Sequence, residues 1–387
     1  MKIPITKPFF DEADRRSVLE PLESGWVVQG PKVAEFENKF REYTNADYAV
    51  ACSSGTTALQ MALMAIDIGR GDEVILPPFT WVATANVIEI QKAKPVFVDI
   101  DLNSFHIDIS LIEKAITSNT KAIIPVSLFG NSANMDAIRQ IADKYKLKVI
   151  EDDACALGTH YLRKHAGDLA DMACFSFHPR KAITTGEGGM VITKEKAFYQ
   201  TLLSLRDHGT NYDDNVKKNA AFLMPEFDRV GSNFRMTDIQ GAVGVSQMAK
   251  LEWVVKRRKQ LAKRYDQEFS NLKWLRIPTA HQECEHAYQA YVCLFTPNQP
   301  GMHNVEELNE KRNKFMTWLQ DRGISTRPGT QAVHALGYYR RTYSIEPGDF
   351  PNAWIADQLS VALPLYAQMT SEEQDYVIEN VRAFNKG

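Results

Sequence analysis

Between about residues 45 and 195, short apolar runs alternate with stretches whose apolar residues recur at helical spacing. The runs predict strands over 48–51, 73–76, 96–99, 122–126, 148–151, 173–177 and 190–193. Helical spacing between them predicts helices over 57–65, 81–91 and 135–145. Strand–helix alternation of this kind implies an α/β fold, with a mostly parallel seven-stranded sheet between helices. Ligands on such sheets bind beyond the C-terminal ends of strands. After about residue 195 the rhythm changes. One long helix is expected over 238–269, then a mixed segment holding AYQAYVCLF, then helices over 305–322 and 371–384. The expected division is a large domain, 1–245, and a smaller α+β C-terminal domain, 246–387. No repeat or low-complexity linker separates them, so the two lobes should pack together.

Composition narrows the function classes. A chain of 387 residues is too long for one simple core. The formal net charge is -3, without a basic stripe or an acidic tail, which argues against nucleic acid and anionic membrane as partners. No apolar run reaches the roughly 18 residues of a membrane span. The N-terminal MKIPITKPFFDEADRR lacks the apolar core of a signal peptide. The five cysteines are odd in number and form no CxxC pair. They point to a reducing cytoplasm, not to a disulfide framework or a metal site.

Four segments carry candidate chemistry. In SSGTTALQMAL, residues 53–63, a strand ends in small polar residues and a helix follows. Free backbone N–H groups and hydroxyls at a helix start suit a phosphate, although Ser and Thr also cap ordinary helices. No GK[ST] follows, so this is not a Walker A loop. In KVIEDDACALG, residues 148–158, a strand runs into Glu151, Asp152 and Asp153. Adjacent buried acids need a nearby cation or proton. A pyridinium nitrogen, a divalent metal, or a role as helix cap would each answer that need. In FSFHPRKAITTGEGGM, residues 175–190, Lys181 follows a strand end and precedes a glycine-rich loop. A lysine so placed can reach back over the strand ends, where burial or the neighbouring Arg180 would favour the neutral amine that a Schiff base requires. In PFTWVATAN, residues 78–86, Trp81 stands where an indole can stack on a flat ring or fill the core.

Together these segments resemble the DegT/DnrJ/EryC1/StrS family of pyridoxal-phosphate (PLP) sugar aminotransferases, which have the fold-type I, aspartate aminotransferase-like architecture. The resemblance runs nearly end to end and in order. It takes in GWVVQGPKVAEFE (25–37), SSGTTAL, PPFTWVATANVI, KPVFVDID (94–101), VIEDDACALG, FSFHPRKAITTGEGG, LRDHG (205–209), VGSNFRMTDIQGA (230–242) and LSVALPLYAQMT (359–370). It implies that Lys181 binds PLP as a Schiff base and shuttles the proton, and that Asp152 pairs with the ring nitrogen. Trp81 would stack on the ring, while Gly55, Thr56 and Ser176 hold the phosphate. Asn233 would reach the phosphate of a neighbouring subunit, which implies a homodimer with shared sites. Cys155 stands where many members carry the Gln or His that touches the ring oxygen, and Asp153 where they carry a small residue.

The resemblance also implies a ping-pong reaction. L-glutamate would give its amino group to the cofactor, and a nucleotide-linked 4-keto-6-deoxyhexose would receive it. Trp26, Gln29, His178, Arg235, Arg327 and His334 are the candidate substrate contacts. A branch of relatives that deoxygenates sugars has histidine in place of the lysine, so Lys181 favours amino transfer. A 3-keto sugar or keto-cyclitol acceptor, a PLP-dependent dehydratase and a non-catalytic PLP-binding regulator are the competing expectations.

Overall fold

Seven strands form the central sheet of the computed structural model, which describes residues 1–211 and 224–384. They are β1 (Tyr48–Cys52), β2 (Glu73–Leu76), β3 (Lys94–Phe97), β4 (Thr120–Ile123), β5 (Lys148–Asp152), β6 (Met172–Ser176) and β7 (Gly189–Thr193). Their spatial order is β1-β7-β6-β5-β4-β2-β3. β7 runs antiparallel to both neighbours, and the other pairings are parallel. A sheet covered on both faces needs apolar residues on both, so its strands read as continuous runs. All five residues of β7 are buried.

Side chains alternate across the pleat and divide between two cores. Val50 and Cys52 join the helices Gly55–Ala65 and Ala83–Ile90, with Cys174 from β6. Ala49 and Ala51 face Phe36 and Phe40 of the helix Pro31–Thr44, with Ala173 and Phe175 from β6. The C-terminal ends of β1, β5 and β6 therefore open at one edge of a sheet held firmly from both sides.

A second sheet of three antiparallel strands, Leu275–Arg276, Tyr291–Phe295 and Ser360–Leu363, supports the C-terminal part. Helices Leu251–Phe269, Val305–Asp321 and Ser371–Ala383 supply its core, which also buries Ile3 from the start of the chain. A further apolar cluster joins Phe79, Phe105 and Phe129 to Val292, Leu294, Leu359 and Ala362. The two parts thus share a packed junction. The proposed boundary at residue 245 falls within the last turn of the helix Asp238–Met248.

Three expectations from the apolar pattern need correction. The helix expected from residue 81 begins at Ala83, because Phe79–Thr80 first pairs with Gln331–Ala332. The strand expected over 122–126 ends at Ile123, and Val126 keeps only an isolated bridge to Asp152. The single helix expected over 238–269 is two, Asp238–Met248 and Leu251–Phe269. At the break, Lys250 N donates to the Gln247 carbonyl, and the Lys250 ammonium pairs with Asp11 and the buried Asp14. Helical apolar spacing continues across the break, so periodicity alone does not show it.

Candidate active site

The end of β1 leads into a helix whose start is tightly tied. Ser54 and Thr57 form a capping box: Thr57 N donates to Ser54 Oγ at 3.1 Å, and Ser54 N donates to Thr57 Oγ1 at 2.9 Å. Ser54 thereby uses one of the first N–H groups and leaves the turn at Gly55 and Thr56 facing outward. A Cβ on Gly55 would lie 2.8 Å from Ser176 Cβ. Only glycine lets the β1 and β6 ends approach so closely. The two segments expected to share a phosphate therefore meet in space, with Thr56 exposed and Ser176 half-buried.

At the end of β5, alternation turns Asp152 one way and Glu151 and Asp153 the other. Asp152 is buried and accepts from Thr84 Oγ1 at 2.8 Å and from Ala154 N at 3.1 Å. Burial raises its pKa above the ordinary carboxylate value; the Thr84 and Ala154 bonds and the charge of Lys181 oppose that rise. Thr84 Oγ1 also lies 3.1 Å from the Trp81 carbonyl, so one hydroxyl ties the tryptophan turn to the aspartate. Trp81 itself is 60% exposed, an indole free to cover a ring.

Lys181 comes from the turn after β6. Its N–H donates to the His178 carbonyl at 2.8 Å, and its Nζ lies 3.1 Å from Cys155 Sγ. The lysine amine and the residue three places after Asp152 thus stand together. Ser176 Oγ accepts from His178 N at 3.4 Å. Burial, with the charges of Lys181 and Arg180, holds the half-buried His178 imidazole below its usual pKa, against the pull of Glu187.

The remaining candidates divide. Trp26 is exposed and donates from Nε1 to the Gln29 carbonyl at 3.2 Å. This segment is anchored by Asp238, which accepts from Gly30 N, Lys32 N and Val33 N at 2.8–3.0 Å. Asn233 is exposed, and its Oδ1 accepts from Arg235 N at 3.3 Å. The Arg235 guanidinium is already paired with Asp207. Arg327 is exposed. His334 is not brought into the site: it is fully buried, packs on Phe350, and donates from Nε2 to the Pro347 carbonyl at 3.3 Å.

Two contributors escape a reading of the sequence. Thr84 sits in an apolar-looking helix start, although it follows Trp81 by three residues and so shares its face. Arg258 is buried in the helix Leu251–Phe269, and its Nη2 donates to the Lys181 carbonyl at 3.2 Å. Its signal was an arginine at core spacing among Val254, Val255, Leu261 and Ala262.

A buried carboxylate, a lysine amine whose charge acts on it, a cradle that a Cβ would fill and an exposed indole fit a flat, phosphorylated, cationic ring. The sequence profile of the DegT/DnrJ/EryC1/StrS aminotransferase family matches residues 8–382. The chain belongs to this family. It is 37% identical to the spore coat polysaccharide biosynthesis protein SpsC of Bacillus subtilis, over 100% of this chain and 97% of that one. The PMP-form of the putative sugar aminotransferase Spr1654 from Streptococcus pneumoniae superposes with a TM-score of 0.92 at 29% identity, covering 99% of this chain and 98% of that one. Helicobacter pylori PseC, an aminotransferase involved in the biosynthesis of pseudoaminic acid, superposes with a TM-score of 0.90 at 27% identity, covering 99% of both chains. This DegT-family member is a PLP-dependent sugar aminotransferase of the α/β class. Among the described residues, no helix is long and apolar enough to cross a membrane.

Proposed function

We propose that this enzyme transfers the amino group of L-glutamate to a nucleotide-linked 4-keto-6-deoxyhexose, giving an amino sugar for a surface polysaccharide or a natural product. The observation that carries the reading is Lys181, whose amine stands at the sheet edge with the Asp152 carboxylate. It stands there in a chain similar to SpsC and PseC.

Lys181, Asp152, Trp81, Gly55, Thr56, Ser176 and Cys155 would hold the cofactor. Bound PLP supplies the electron sink for the amino-bearing carbon. Lys181 would take the proton from the donor Cα and return it to the cofactor's C4′ through the same Nζ, as general base and then general acid. Asp152, fixed by Thr84 and Ala154, would keep the proton on the ring nitrogen. Trp81 would exclude water from one ring face. His178 and the Trp26–Gln29 rim are the proposed sugar contacts.

A homodimer fits the surface. Leu19, Leu22, Trp26, Val27 and Val28 are exposed on and just after the first helix. Such an apolar patch is characteristic of a covered interface. Asn233 would then serve the neighbouring copy. Five free cysteines accord with a cytoplasmic enzyme.

The test is to supply the holoenzyme with L-glutamate and a panel of nucleotide-linked keto sugars, and to identify the product by mass and NMR. A 4-amino-6-deoxy sugar is expected. A product aminated at another carbon, or an aminated cyclitol, would replace the proposed acceptor. A visible absorption band that glutamate leaves untouched would remove glutamate as donor.

A further inference from the structure

We propose that Cys155 and Lys181 form a reversible oxidation site, at which peroxide joins the cysteine sulfur to the lysine nitrogen whenever that nitrogen is free of the cofactor. The inference rests on Lys181 being the lysine that carries PLP. It gives a role to a thiol that amino transfer itself does not need.

Lys181 Nζ lies 3.1 Å from Cys155 Sγ, and the backbone on each side is fixed. Cys155 sits in the turn after β5. Ala156 N closes that turn by donating to the Asp153 carbonyl at 2.9 Å, and Ala154 N donates to Asp152 Oδ1 at 3.1 Å. Lys181 sits in the turn after β6. Its N–H donates to the His178 carbonyl at 2.8 Å, and its carbonyl accepts from Arg258 Nη2 at 3.2 Å. β5 and β6 are hydrogen-bonded neighbours. Two adjacent strand ends therefore set the pair, and joining the two atoms needs only side-chain movement.

The other four cysteines provide the contrast. Cys52, Cys174 and Cys293 are buried. Burial pushes the Cys52 thiol up to about 11, and those of Cys174 and Cys293 well above the ordinary range. Cys284 is half-buried, yet burial pushes it up to about 11 as well, and its sulfur already accepts from Ser132 N at 3.3 Å. The thiolate is the attacking form, so these four are poor nucleophiles. Cys155 is half-buried and has an amine against its sulfur. As the neutral amine, Lys181 can take the thiol proton and then attack the oxidised sulfur.

The steps balance with hydrogen peroxide as the oxidant. Cys155 Sγ attacks one peroxide oxygen. The S–O bond forms, the O–O bond breaks, and hydroxide leaves with the thiol proton as water. Sulfur has given two electrons to the peroxide and stands as a sulfenic acid. Lys181 Nζ then attacks that sulfur. The N–S bond forms, the S–O bond breaks, and hydroxide leaves with an amine proton as a second water. Sulfenic acids condense with a nearby nitrogen in this way. A thiol reverses the change: it attacks the sulfur, the amine leaves with a proton, and a second thiol frees Cys155 as a disulfide forms. PLP on Lys181 occupies the nitrogen. The site is therefore open only in enzyme that lacks PLP or has completed the donor half-reaction.

The test treats three samples with hydrogen peroxide: holoenzyme, holoenzyme first given glutamate, and enzyme stripped of PLP. Peptide mass spectrometry and PLP uptake are followed. Stripped enzyme should yield a Cys155–Lys181 linked peptide lighter by two hydrogens, lose PLP uptake, and recover both with dithiothreitol. Untreated holoenzyme should react at least about tenfold more slowly. Cys155→Ser should give no linked peptide and lose PLP uptake about tenfold more slowly, judged against its own untreated sample. Cys284→Ser should behave as the parent. Cys155 oxidised to sulfinic acid with no link to Lys181 would overturn the proposal, and so would a linked pair carrying an additional oxygen. A link that forms equally fast in holoenzyme would leave the pair standing and remove Lys181 as the cofactor's anchor. Stripped enzyme that cross-links while glutamate confers no sensitivity would uphold the pair and count against glutamate as donor.

Discussion

The cofactor end of the site and its outer rim are built in opposite ways. At the cofactor end, Ser54 is bonded to Thr57, Thr84 to Asp152 and Lys181 to Cys155, each at the end of a strand buried on both faces. At the rim, Trp26, Asn233, Arg180 and Arg327 stand exposed on loops and helix ends. The first region is complete before any ligand arrives, as catalysis by preorganised charge requires. The second keeps the Trp26 indole and its cations exposed toward what has yet to bind, either substrate or a second copy. The same chain holds one cofactor in fixed geometry and leaves substrate recognition to groups that can change with little cost to the core.

The largest effect should come from the centre of the preorganised region. Lys181→Ala removes both the covalent anchor and the proton carrier. Activity should drop by about 10³-fold or more, and the visible absorption of lysine-bound cofactor should disappear while the variant still binds PLP through Asp152 and the Gly55 cradle. Spectra and single-turnover rates check both parts. A variant that kept the band would place the anchor on another lysine.

A smaller loss separates support from chemistry. Thr84→Val keeps the side-chain shape but takes one of two observed donors from Asp152. Hydrogen bonds to charged groups are worth about 1.5–3 kcal/mol, so PLP affinity and kcat/KM should each fall by roughly tenfold or more. Equilibrium dialysis and steady-state rates measure this. Unchanged PLP affinity would show that Ala154 N alone suffices to hold the carboxylate.

Thr84 also marks the limit of what the sequence discloses. The seven strands and the motifs at their ends are legible because burial on both faces writes continuous apolar runs, and because the cradle, carboxylate and lysine each lie within a few residues of a strand end. Contacts that close across the fold leave no such local trace. Thr84 meets a partner 68 residues away, and Arg258 reaches a carbonyl 77 residues away. The break after Met248 is accompanied by a pairing of Lys250 with Asp14 across 236 residues. His334 shows the converse: a polar residue in a promising loop is drawn into packing on Phe350, where burial lowers its pKa to about 4.

The smallest effect concerns the carboxyls behind Asp152, and it concerns stability more than rate. Glu151 and Asp153 are fully buried. Glu151 accepts from Ser127 Oγ at 2.7 Å and Gly167 N at 2.9 Å, whereas neither oxygen of Asp153 has a donor among the described residues. Burial, then the charge of Glu151, pushes the Asp153 pKa well above 3.8, so Asp153 keeps a proton that it can give to Glu151. In the unfolded chain that proton leaves near pH 4. The folded state therefore binds more protons than the unfolded one above that pH, and stability falls as pH rises until the folded pair itself ionises. The slope is about 1.4 kcal/mol per pH unit for one proton. Asp153→Asn retains a donor toward Glu151 and removes the titration. Urea melts should show parent and variant differing least near pH 4, with the variant gaining by about 1 kcal/mol or more toward pH 8, and its activity should change by less than about tenfold. A parent whose stability is flat across that range would mean that both carboxyls are ionised behind Asp152, and that the preorganised end carries more negative charge than its burial allows.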